Sequence, residues 1–167
     1  MSARPARREN TPHIDIDIQS PLWAAEPQAE ATVREAIAAA AAHAPSGGEV
    51  SVLLADDAAV QALNRDWRKI DKPTNVLSFP SDAPKIAGAP ALLGDIAIAF
   101  ETLEREARAE KKPFLHHLAH LAAHGYLHLL GYDHQTDSEA EAMEALERET
   151  LAAMRIPDPY ADAADIV

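Results

Sequence analysis

The 167 residues include no cysteine, which excludes thiolate nucleophiles, cysteine-ligated zinc and iron–sulfur clusters. Aromatic residues make up only 5% of the chain while alanine is abundant, so the apolar interior is built mainly from small and aliphatic side chains. No stretch approaches the roughly 18 consecutive apolar residues of a membrane span. The opening residues MSARPARRENTPH carry arginines with no apolar run behind them. No secretory signal is therefore expected, and the chain reads as a soluble, cytoplasmic protein.

Positive charge is also scarce: 15 Lys and Arg face 27 Asp and Glu, a net of −12. At first sight this argues against nucleic acid, whose binders present basic surfaces. The distribution changes that reading. Residues 135–167 hold nine of the acids and two of the bases, whereas Arg65 to Lys72 holds four bases against two acids. A polyanion would have to meet a local basic patch.

A chain of this length is expected to form one domain and to bury about two-thirds of its unfolded surface. Residues 1–12 read as a disordered arm, 13–160 as the domain and 161–167 as a tail. His13–Gln19 alternates isoleucine with aspartate and predicts a half-buried strand. A helix follows from Pro27 to His43, then a strand over Glu49–Ala55. Asp56 or Asp57 caps a helix that ends near Arg68. Asn75–Phe79 and Asp95–Phe100 are further strands, separated by the proline-rich loop 80–91, and the second is expected to be buried on both faces. Helices are predicted over Glu101–Lys112 and Pro113–Leu130, and Ser138-x-x-Glu141 reads as the capping box of a last helix ending near Met154. The expected fold is α+β (mixed α/β): a small four-stranded sheet packed with about five helices, with a metal site at the end of a central helix.

Six of the eight histidines fall between residues 116 and 134. In the string HGYLHLLGYDH, His124 and His128 are four apart and project from one face of a helix. Gly131 can adopt positive φ and turn the chain back, carrying His134 to the same point. Three imidazoles on a cysteine-free chain suit Zn²⁺ with one position open to water, and an open position marks a catalytic site. Such an ion can lower the pKa of its water towards ~7. His120, one turn before His124, could support a ligand, although a structural role is the simpler reading for it and for His116 and His117. The metallopeptidase pattern H-E-x-x-H-x-x-G-x-x-H has the same offsets, but Gly125 stands where a peptidase places its glutamate base.

The string resembles the signature H-G-x-L-H-L-x-G-Y-D-H of the YbeY family of rRNA maturation endoribonucleases, matching it at every specified position from His124 to His134. WRKIDKPTNVLSFP, LLGDIAI and EAEAMEALE are similar to further segments of that family. The resemblance implies a single mixed α/β domain with one zinc-like ion on His124, His128 and His134. It also implies cleavage of single-stranded RNA, processing of rRNA ends on the small ribosomal subunit, and ribosome quality control. The family's functional arginine, in its string Y-R-G-K-D-K-P-T, falls on Arg68; the loop departs from that string between Trp67 and Ile70 but keeps an aromatic and the arginine. A guanidinium there would stabilise charge on a phosphodiester under attack by water or by a ribose 2′-OH, with Lys69 and Lys72 as weaker phosphate contacts. Asp133 is expected to orient an imidazole or shape the turn. The acidic last helix reads as a solvated face or a surface for a basic ribosomal protein. A ribosome-assembly factor with a structural metal is the alternative of another class.

Overall fold

A computed structural model describes residues 11–84 and 86–161; most of the arm and tail expected at the two ends lies outside them. Four strands form one sheet: β1 (His13–Ile18), β2 (Glu49–Ala55), β3 (Val76–Pro80) and β4 (Leu92–Ala99), in the order β1-β2-β4-β3. The first three in that order run parallel and β3 pairs antiparallel with β4. The helices are α1 (Ala29–His43), α2 (Asp57–Arg68), α3 (Phe100–Ala109), α4 (Phe114–Leu129) and α5 (Asp137–Ala153). β4 is a central strand with Ile96 to Ala99 buried, as its continuous apolar run requires.

One face of the sheet packs Val50, Val52, Leu54, Ile96 and Ile98 against Val33, Ile37, Leu118 and Ala122 of α1 and α4, with Met143 and Leu151 of α5 in the same cluster. The other face carries a smaller cluster of Leu77, Ala97 and Ala99 with Val60 of α2. A short 3₁₀ helix at Pro21–Ala25, unforeseen in the sequence, buries Trp23 against Phe100 and Phe114. The indole N–H donates to the Ala55 carbonyl at 2.9 Å, so much of the small aromatic content is gathered in one place.

Several expected boundaries shift. Asp56, not Asp57, caps α2, its carboxylate accepting from Ala59 N at 2.9 Å. Phe100 starts α3 instead of ending β4, and α3 stops at Ala109 because Lys111 adopts φ 56°. The capping box of α5 uses Thr136 and Glu139, correcting the Ser138–Glu141 reading. Both pairs fit the S/T-x-x-E pattern, but Thr136 is the residue with extended backbone (φ −117°, ψ 161°), so the helix begins two residues earlier and Ser138 sits inside its first turn.

Candidate metal centre

Helix α4 lies against β3 and β4 so closely that a side chain at Gly125 would meet Ile96 and Ser78; a built Cβ comes within 3.0 Å of Ile96. The Ser78 hydroxyl donates to the Gly125 carbonyl at 3.2 Å. The position that holds a peptidase's glutamate is thus a tight contact between helix and sheet, facing Ile96 and Ser78. The same register leaves His124 and His128 half-buried at the helix's outer edge.

At the C-terminus of α4 the Gly131 N–H bonds the His128 carbonyl and the Tyr132 N–H bonds that of Leu127, with Gly131 at φ 103°. This six-to-one and five-to-two pairing ends the helix in a left-handed turn that an L side chain would strain. The chain doubles back, and the Asp133 carboxylate accepts from the His134 N–H at 2.8 Å, fixing the next step of the turn. His134 comes to stack on His124 with ring centroids 5.7 Å apart, and lies 5.2 Å from His128. One donor atom from each of the three histidines falls within 4.8 Å of the others.

The residues fit a small dication. Nε2 of His124 and Nε2 of His128 are 3.1 Å apart, close to the roughly 3.3 Å between two nitrogens on a tetrahedral zinc ion. Burial first, then the neighbouring His124 and His134, lower the His128 pKa against the opposing pull of Asp133, which favours the neutral form that a ligand needs. His124 is set by Glu147 on α5, only 1% exposed. One Glu147 oxygen accepts from His124 Nδ1 at 2.9 Å; the other accepts from His120 Nε2 and from the Tyr160 hydroxyl. An Nδ1 that donates to a carboxylate leaves Nε2 as the free lone pair, aimed at the other two imidazoles. Burial alone would push the Glu147 carboxyl upward, but the hydrogen bonds and charge of His120 and His124 outweigh it and hold the pKa at about 2.

Glu147 is the exception to the reading of the last helix as a solvated face, which holds for exposed Asp137, Glu139, Glu141 and Glu149. It was legible in one respect: Met143, Glu147 and Leu151 recur at four-residue spacing, so the acid occupies the apolar stripe of α5. His120 is half-buried and shares the Glu147 carboxylate with His124, a position that fits both the structural role and the supporting one. His117 is buried and pairs with Glu106 at 2.8 Å, away from the three-histidine cluster.

A cavity of about 500 Å³ holds His124, His128 and His134 together with Arg68, Asn75 and Asp133. Arg68 arrives from the end of α2, its Nη2 donating to the Ser78 carbonyl at 3.1 Å and its guanidinium lying 5.8 Å from the Phe79 ring centre. Ser78 therefore braces both halves of the site, the histidine helix through its hydroxyl and the arginine through its carbonyl. Lys69 and Lys72 lie outside that cavity: the Lys69 ammonium donates to the Asp66 carbonyl, and the Lys72 carbonyl accepts from buried Asn64. Lys69 takes the left-handed conformation, φ 63°. A second cavity of about 920 Å³ opens on the other side of His124, between His117, His120 and Tyr160.

A family model described as Endoribonuclease YbeY matches residues 16–155. An Endoribonuclease YbeY of Rhodopseudomonas palustris strain BisB18 is 58% identical over 159 residues, covering 90% of this chain and 94% of its own length. Its counterpart in Bradyrhizobium diazoefficiens is 54% identical over 160 residues, covering 92% and 87%. Among solved structures, a solution structure from Thermotoga maritima aligns with a TM-score of 0.57 at 24% identity, over 85% of this chain and 91% of that one. It supports the fold.

Proposed function

This chain belongs to the YbeY family of endoribonucleases, and we propose that it is a metal-dependent endoribonuclease that cuts single-stranded RNA at the three-histidine cavity. The observation that carries this reading is the convergence of three imidazole donors and one guanidinium in a single cavity. In the cell we assign it to the cytoplasm and to maturation of rRNA ends, on or near the small ribosomal subunit, with a part in ribosome quality control. Among the described residues no helix is long and apolar enough to cross a membrane.

Zinc held by His124, His128 and His134 would supply Lewis acidity at a phosphoryl oxygen. The protein's own groups do the rest. Glu147 keeps His124 in the tautomer that presents Nε2, and Asp133 fixes the turn that delivers His134. Arg68, anchored on Ser78, offers a planar fork of N–H donors to phosphate oxygens as negative charge builds on them. Both water and the ribose 2′-OH are compatible nucleophiles. Lys69 and Lys72 follow Arg68 in the chain and are assigned weaker, peripheral phosphate contacts outside the cavity. Peptide hydrolysis is disfavoured because Gly125 packs against the sheet and supplies no base.

The test is cleavage of a labelled single-stranded RNA by wild type, His128→Ala and Arg68→Ala, with and without chelator. Loss of cleavage in both variants and on chelation is the expected result; removal of one charge-stabilising donor typically costs about 10²–10³ in rate. Equal cleavage in every lane, or none by folded, metal-loaded wild type, would favour an assembly factor whose metal is structural.

A further inference from the structure

We infer that Trp67 is the stacking platform for a nucleobase next to the cleaved bond, and that it is one source of selectivity for single strands. This rests on the ribonuclease reading above. The two tryptophans of the chain stand in opposite circumstances: Trp23 is 2% exposed at the centre of an aromatic cluster, whereas Trp67 is 72% exposed. Helix α2 buries Val60 and Asn64. Trp67 belongs instead to a second stripe, one turn from half-buried Leu63, and stays exposed among the described residues. An indole left in water on the last turn of a helix adds little to packing, so its position calls for a partner.

The surroundings specify which. Trp67, Leu63, Phe79 and Pro80 form the apolar wall of a groove of about 540 Å³. Pro80 also borders the three-histidine cavity, so the groove and that cavity share it as a wall. Trp67 and Arg68 are consecutive on α2, and their side chains diverge by about 100°: the indole faces the groove and the guanidinium faces the imidazoles. A strand with its phosphate on Arg68 can therefore lay an adjacent base on Trp67. Arg65, paired with Asp66 at 3.1 Å, and Lys69 are further cations on the same exposed helix end. Asp15, Asp17 and Asp95 line the sheet side of the same groove, Asp95 directly across from Phe79, and they repel phosphate, which keeps the strand's backbone on the α2 side. Aromatic stacking accepts any base with a free face, and a base held in a duplex has none to offer.

The experiment compares Trp67→Ala and Trp67→Phe with wild type in cleavage of single-stranded RNA, alongside intrinsic tryptophan fluorescence during RNA titration. Trp67→Ala should raise KM about 5- to 150-fold with kcat little changed, and Trp67→Phe should recover most of the loss. Both variants should melt with the wild type, because the side chain is outside the core. In wild type, single-stranded RNA should quench the exposed indole and a duplex of the same sequence should not. An unchanged KM in Trp67→Ala overturns the platform while leaving the nuclease standing. Wild type that neither cuts RNA nor is quenched by it overturns both. Quenching by oligolysine and not by RNA overturns the proposal in favour of a basic protein segment.

Discussion

On one face of the sheet, α1 and α4 bury six strand residues with α5 packed alongside; on the other, α2 covers Leu77, Ala97 and Ala99 and leaves Asp15 and Asp95 exposed. The difference divides the work of the molecule. The thick face holds most of the apolar burial and carries the three histidines on and beyond α4. The thin face contributes Arg68 and Trp67 from a helix end with few contacts. The site forms where the two meet, at edge strand β3, and Ser78 touches both sides. On the function proposed above, the metal ligands hang from the more deeply packed side and the groups that would meet the RNA from the thinner one.

The strongest way to break this contrast is a core truncation on each side. Leu118→Ala, on the thick face, should cost about 2–5 kcal/mol in urea unfolding. Leu63→Ala, half-buried on the thin face, should cost about 1 kcal/mol. Equal losses would mean that the two faces share the stability evenly.

A second prediction concerns Tyr126 of α4, whose buried hydroxyl donates to the Ala44 carbonyl at 2.8 Å, just past the end of α1. Burial first, and nearby Tyr132 second, push its pKa up to about 12. A raised folded pKa gives stability that is fully present below pH 10, where an unfolded tyrosine begins to ionise, and is lost as pH rises towards 12. That loss should be about 2–3 kcal/mol. Tyr126→Phe should flatten this alkaline limb, read by denaturant unfolding at several pH values; an unchanged limb would assign it to other groups.

The carboxylate behind His124 sharpens the comparison further. Glu147→Gln keeps the shape but loses the charge and one of the two acceptor oxygens that serve three donors. Zinc affinity, measured by competition with a coloured chelator, should fall about 10- to 100-fold. Unchanged affinity would show that packing on α4 alone orients the imidazole. The smallest effect belongs to the thin side. Lys69 holds a left-handed conformation that costs an L residue roughly 1–2 kcal/mol, partly offset by the extra unfolded entropy of glycine. Lys69→Gly should therefore raise stability by about 0.5–1 kcal/mol, visible as a small increase in the urea midpoint, and lower RNA affinity only slightly.

The strands, the helices and the three-histidine cluster were readable in the letters because each depends on local spacing. Alternation over His13–Ile18, the continuous run in β4, and the i, i+4 histidines with Gly131 behind them are all short-range signals. What escaped was non-local or degenerate. Two overlapping S/T-x-x-E frames compete at Thr136 and Ser138, and the backbone path out of His134 chooses between them. The 3₁₀ helix at Pro21–Ala25 exists because Trp23 finds Phe100, Phe114 and the Ala55 carbonyl, none of them nearby in the chain.

By itself the sequence determined where helices and strands form and which three histidines can share an ion, since period and turn chemistry act over a few residues. Only the tertiary structure decided that Glu147 sets His124 from 23 residues away, that Arg68 enters the same cavity over Ser78, and that Trp67 is left in water. Those outcomes depend on which faces pack against which. Packing is settled by the burial of the whole apolar surface at once, and no local window contains it.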